Sequence, residues 1–158
     1  MSTNLIMHWS EHDESLTSIL RSLSASLAIF DEDLTRLRLE RPENVEILRR
    51  FLASSGRNGV QIVVKNAEPF RNQSPRLFNL LATYPERLSV VQCPEHLRAL
   101  DDSLVIVDHM HALIRFHRDH ARSRVIVGDA TACAPYVQRF NDIANEGGEP
   151  ISATTLGL

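Results

Sequence analysis

An α/β domain with a mixed central sheet and helices on both of its faces is the fold class this sequence predicts, and three observations lead there. Helical and extended segments alternate along the chain with no linker and no fixed-period repeat. Two runs, Val60 to Val64 and Ser103 to Val107, are almost continuously apolar and rich in β-branched residues, the texture of strands covered on both faces. The 158 residues, 43% hydrophobic and 23% charged, suffice for one compact core and little beyond it. Residues 1–158 are therefore expected to form a single domain, with 147–158 an irregular tail.

The elements follow in order. Asn4 to Trp9 is expected as a short strand. Ser10 is placed to cap a helix with His12, Asp13 and Glu14 in its first turn and Leu16, Ile19, Leu20 and Leu23 as its apolar stripe. Ser26 to Phe30 is a buried strand opening into the polar Asp31-Glu32-Asp33, and the alternation of Leu34 to Leu39 predicts a short half-exposed strand. Pro42 starts a helix with Val45, Ile47, Leu48, Phe51 and Leu52 on its inner face, ended by Ser54-Ser55-Gly56, while Arg49-Arg50 faces solvent. Val60 to Lys65 is the next strand, and Pro75 starts a helix carrying Leu77, Phe78, Leu80 and Leu81. Leu88 to Gln92 and Ser103 to Val107 are further strands, joined by a short helical or irregular Pro94 to Leu100. Asp108-His109-Met110 turns the chain back into His111 to Phe116. After a charged loop at 118–123 come a strand, Arg124 to Gly128, and a last helix capped by Asp129 and running to Asn145.

Composition excludes several classes. No apolar run approaches the roughly 20 residues of a membrane span. Met1 to Asn4 lack a basic region followed by an apolar stretch, so no signal peptide is expected and the cytoplasm is the expected compartment. Cys93 and Cys133 stand alone in apolar contexts and are expected as buried thiols. Seventeen basic against twenty acidic residues give a net charge of −3, which argues against indiscriminate polyanion binding. The single lysine is Lys65, so every mechanism that needs a lysine must run through it. The phosphate loop, the dinucleotide-binding glycine pattern, the zinc-protease His-Glu-x-x-His and the Gly-x-Ser-x-Gly elbow are all missing.

Gly59-Val60-Gln61-Ile62-Val63-Val64 is followed by a helix at Ser74 to Thr83, a strand at Leu88 to Gln92, and a hairpin whose first strand, Ser103-Leu104-Val105-Ile106-Val107, ends in Asp108. This order resembles one repeat of the phospholipase D-like superfamily, over roughly Leu16 to Asn145. The resemblance implies a fold like one phospholipase D-type half and, because active units of that family pair two such halves, a homodimer. It also implies a signature His-x-Lys, four residues, then Asp, in which the His attacks phosphorus and the Lys stabilises the phosphate. Only Asp108 matches: Asp101 stands at the His position and Ser103 at the Lys position, and no other frame restores the motif. Asp101 would repel an incoming phosphate, and no catalytic residue is assigned.

Four of the seven histidines lie between His109 and His120. On a strand His109 and His111 share a face and, with Asp108, His117 or His120, offer a divalent-metal set, although fixed ligand spacing is lacking. The plain alternative is a solvated hairpin tip, and no metal or cofactor is assigned. Arg115, Arg118, Arg122 and Arg124 suit a phosphate or an acidic partner, or form a charged loop. Trp9 is expected in the core or at an interface. The function expected is a non-enzymatic binding or regulatory module. Its ligand or partner crevice is expected at the sheet end formed by Asp108, His109 and His111, with Asp101 and Ser103 also lining it. Such a crevice suits a cationic or mixed-charge small molecule, or a protein, better than nucleic acid. Two alternatives stand beside it: a metal-assisted phosphodiesterase or nuclease using His109 and His111, and a structural subunit of a complex.

Overall fold

The computed structural model describes residues 2–56 and 58–153. In chain order they form β1 (Ser2–Ile6), α1 (Trp9–Arg21), β2 (Leu27–Asp31), α2 (Pro42–Ala53), β3 (Val60–Val64), α3 (Glu68–Gln73), α4 (Pro75–Thr83) and β4 (Leu88–Gln92). After a 3-10 turn at Glu95–Ala99 come β5 (Ser103–Val107), β6 (His111–Arg115), β7 (Ser123–Val127), α5 (Ala130–Asn145) and the two-residue β8 (Glu149–Pro150). The described strands make one sheet in the order β1-β7-β6-β5-β2-β3-β4-β8. The pairings β2 with β3 and β3 with β4 are parallel and all others antiparallel, so the sheet is mixed as expected.

Parallel pairing needs a crossover, and helices supply it: α2 joins β2 to β3, and α3 with α4 joins β3 to β4. Side chains alternate between two cores. Ile29, Ile62, Val64, Val105 and Leu113 pack under α1, α2 and α4 with Leu16, Leu20, Leu48 and Leu80. Phe30, Val63, Leu104, Ile114 and Ile126 pack under α5 with Cys133, Phe140 and Ile143. All five residues of β5 are buried because both of its faces are covered, which is why its sequence lacks polar alternation.

Gly59 has a steric duty: a Cβ there would lie 2.0 Å from the Arg87 carbonyl oxygen, which accepts the Val60 N–H at 2.7 Å. Among the described residues no helix is long and apolar enough to cross a membrane.

Four local expectations need correction. The first strand is Ser2–Ile6 and not Asn4 to Trp9, because Trp9 already belongs to the first helix. The helix α1 starts at Trp9, one residue before the expected Ser10 cap, with His8 extended at the N-cap and its carbonyl accepting from His12 N–H. Leu34 to Leu39 is a looped turn, not a strand; Leu34 and Arg38 take positive φ of 74° and 54°, which no strand tolerates. The helix α3 was not expected, since in its six residues only Phe70 is buried and no stripe can repeat. In the stretch 147–158, β8 pairs with Val91 and Gln92 and Ile151 is buried; residues 154–158 lie outside the described residues.

Candidate functional site

The sheet has two ends, and the five residues expected to share a crevice divide between them. β5 runs antiparallel to β2, so Asp101 and Ser103 lie where the parallel strands finish, beside Asp31 and Lys65. Asp108, His109 and His111 lie at the opposite end, roughly 16 Å away along a five-residue strand. The carboxyl ends of the parallel strands, where a crevice belongs in such a sheet, are thus the end of Asp101 and Ser103.

At that end the chain has built an internal polar cluster. β2 enters it with Asp31, β5 with Ser103 and β6 with Arg115, in adjacent register. Asp31 Oδ1 accepts from Ser103 Oγ at 2.6 Å and from Arg115 Nη2 at 3.0 Å, and Oδ2 accepts the N–H groups of Leu34 at 2.8 Å and Asp33 at 3.3 Å. The Asp31 and Arg115 side chains are each 1% exposed, so this ion pair is fully desolvated. Among the described residues Arg115 Nε and Nη1 have no hydrogen-bond partner, and neither has Nε2 of the buried His12. Burial, and next the Arg115 charge, push the His12 pKa below its ordinary 6.5, so this imidazole is neutral at pH 7.

On the α5 side of the same end, Lys65 is 2% exposed. Its ammonium donates to the Leu100 carbonyl and sits 3.3 Å from Glu32 Oε1, which also takes Arg118 Nη1 at 3.2 Å. Asp101 is exposed, with His117 Nε2 3.8 Å from its Oδ2. The Nδ1 of His117 accepts the Asp119 N–H at 3.1 Å, which engages the lone pair a nucleophilic imidazole would need. Burial pushes the Cys133 thiol up to about 11 and raises Cys93 as well, so neither is a thiolate at neutral pH.

At the other end Asp108 is a structural clamp. Its Oδ1 accepts from Ala25 N at 2.7 Å and Ser26 N at 3.1 Å, and Oδ2 from Ser24 Oγ at 3.0 Å, tying the β5–β6 turn to the segment before β2. Asp108 and His109 take positive φ of 57° and 58°, with Met110 N–H returning to Val107 O, a mirror-image hairpin turn. This twist ends the strand before His109, so His109 and His111 are not two residues of one strand face. His111 Nδ1 is engaged by Gly128 N–H at 2.9 Å. His109 instead borders a concavity of about 550 Å³ between α5 and the starts of β2 to β4. Among the described residues no group of three or more His, Cys, Asp or Glu side chains is placed to hold a metal ion.

The family described as Domain of unknown function (DUF7931) matches residues 8–149, nearly the whole chain. The chain belongs to the DUF7931 family. A search of curated proteins gave no match. Among solved structures, this DUF7931 chain is similar to TrmBL2, an archaeal chromatin protein with a novel mode of DNA binding. The TM-score is 0.69 at 12% identity, over 94% of this chain and 54% of that one, so the chain spans about half of TrmBL2. It is also similar to Nuc from Salmonella typhimurium, a phospholipase D family member, with a TM-score of 0.64, 13% identity and coverage of 96% and 99%. NucT from Helicobacter pylori follows at 0.61 and 12%, with coverage of 92% and 96%. At these identities the likeness speaks for the fold: a phospholipase D-like α/β domain, as the strand order predicted.

Sequence reasoning missed the Asp31–Arg115 pair. Each residue closes an apolar run, Leu27 to Phe30 and Ala112 to Ile114, and a lone charge ending a buried strand is the signal that could have found it. Of the four arginines expected to suit a phosphate or an acidic partner or to form a charged loop, Arg115 is buried and paired within the chain.

Proposed function

We propose that this DUF7931 chain is a non-enzymatic binding module on a phospholipase D-like half. The observation that carries the reading is that the two buried cations at the carboxyl ends of the parallel strands, Arg115 and Lys65, are already neutralised by Asp31 and Glu32 of the same chain. A phosphate arriving there would have to break a desolvated ion pair to gain a cation. Read back from Asp108, the family's motif positions hold Asp101 and Ser103; the first is an anion, and the hydroxyl of the second is committed to Asp31. Losing either the nucleophile or the phosphate clamp of such a unit lowers the rate by several orders of magnitude.

The test is turnover of a generic phosphodiester, bis(4-nitrophenyl) phosphate, with and without Mn²⁺ or Zn²⁺. The wild-type chain is expected to release no nitrophenol above the blank. Metal-dependent release that disappears in His109→Ala/His111→Ala would establish the metal-assisted enzyme instead.

A further inference from the structure

The loop between β2 and α2 carries a cationic surface on a fixed backbone. Leu34, Leu37 and Leu39 are buried, which turns Arg36 and Arg38 outward. The backbone is held from several sides. Asp33 Oδ1 accepts from Thr35 N at 3.0 Å and Thr35 Oγ1 at 2.7 Å, and Asn44 Nδ2 donates to Arg38 O at 3.0 Å. The Glu40 carboxylate accepts the N–H groups of Arg76 at 2.8 Å and Leu77 at 3.0 Å at the start of α4. A concavity of about 540 Å³ opens over this loop, lined by Trp9, by Arg36, Arg38, Arg41 and Arg76, and by the two carboxylates of Asp13 and Glu40.

Its charges do not balance. Arg38 Nε lies 3.3 Å from Asp13, and Arg76 Nη1 lies 3.7 Å from Glu40. Among the described residues neither Arg36 nor Arg41 has a carboxylate partner; Arg36 stacks over the Trp9 ring at 4.7 Å. The buried Arg115 guanidinium also lies 5.3 Å from the Trp9 ring centroid, which helps to fix the indole in place.

We propose that this concavity binds a dianionic phosphate group carried by a small molecule, with Arg36 and Arg41 as its principal ligands. Two uncompensated guanidinium groups match the charge of a phosphomonoester, and their planar forks suit its oxygens. The volume falls among small-molecule sites, and the Trp9 ring holds Arg36 in place at its edge. Because the loop is held before the ligand arrives, little ordering opposes binding. The proposal rests on the binding-module reading only in that the ligand is held and not turned over.

Titration calorimetry on the full chain tests it, with adenosine 5′-monophosphate and inorganic phosphate as probes and adenosine as control. Both phosphates are expected to bind and adenosine not to, and Arg36→Gln/Arg41→Gln is expected to weaken binding at least tenfold, about 1.4 kcal/mol. The single Arg41→Gln, at an exposed position, is expected to weaken it in the same direction. No saturation by either phosphate at about 10 mM, or affinity unchanged in the double variant, would overturn the site. Equal affinity for an oligothymidylate lacking a terminal phosphate would overturn it in favour of a nucleic-acid backbone. Nitrophenol release from bis(4-nitrophenyl) phosphate in the same samples would defeat the non-enzymatic reading and leave the site standing.

Discussion

Replacing Asp31 with alanine is expected to lower the unfolding free energy by about 3–5 kcal/mol, because it strands Arg115 in a site where that side chain is 1% exposed. Three other donors lose their acceptor at the same time: Ser103 Oγ and the N–H groups of Asp33 and Leu34. The loss comes from uncompensated burial and not from a large net value of the pair. The double variant Asp31→Leu/Arg115→Met should therefore recover the share due to the stranded guanidinium, while the three donors left without Asp31 keep theirs. Urea unfolding with an unchanged m-value reads both effects. A single variant within about 1 kcal/mol of wild type would mean that the pair is not the lock on which the proposed function depends.

Asp108→Ala is expected to cost about 2–4 kcal/mol, since one carboxylate holds the hairpin turn and three residues before β2 together. Its effect should depend on pH. Burial raises the Asp108 pKa, but the N–H groups of Ala25, Ser26 and Ser24 and the Ser24 hydroxyl together outweigh it, leaving the carboxyl below its ordinary 3.8. A depressed carboxylate contributes stability that is complete above the unfolded value and is lost as the pH falls through the folded one. Wild type should thus lose this increment below roughly pH 4, and Asp108→Asn should lack that part of the acid limb. Parallel acid limbs in wild type and Asp108→Asn would contradict the clamp.

Much of the architecture was legible because periodicity reports burial. The runs at β3 and β5 announced strands covered on both sides, and the order of elements around them announced the phospholipase D-like sheet that the neighbours share. The loop at Leu34 to Leu39 failed for an instructive reason. Its alternation is real only over Arg36 to Leu39, where Leu37 and Leu39 are buried and Arg36 and Arg38 are not; Leu34 is buried out of phase, and anchored turns produced the pattern in place of a pleat. The same segment, mistaken for a strand, supplies the cationic concavity. Of the candidate site, counting back from Asp108 puts Ser103 at the start of β5 and Asp101 just before it, and the length of that strand separates both from Asp108. Asp31 and Arg115 meet across 84 residues, and only the sheet register brings them together.

The most direct test of the central claim, that the sheet end is locked and holds no reactive nucleophile, is intact-mass spectrometry after rapid quenching of the chain with excess bis(4-nitrophenyl) phosphate. The account predicts a single unmodified species of 17.8 kDa at every time point. A phosphoryl adduct on a histidine, growing to stoichiometric amounts, would contradict it.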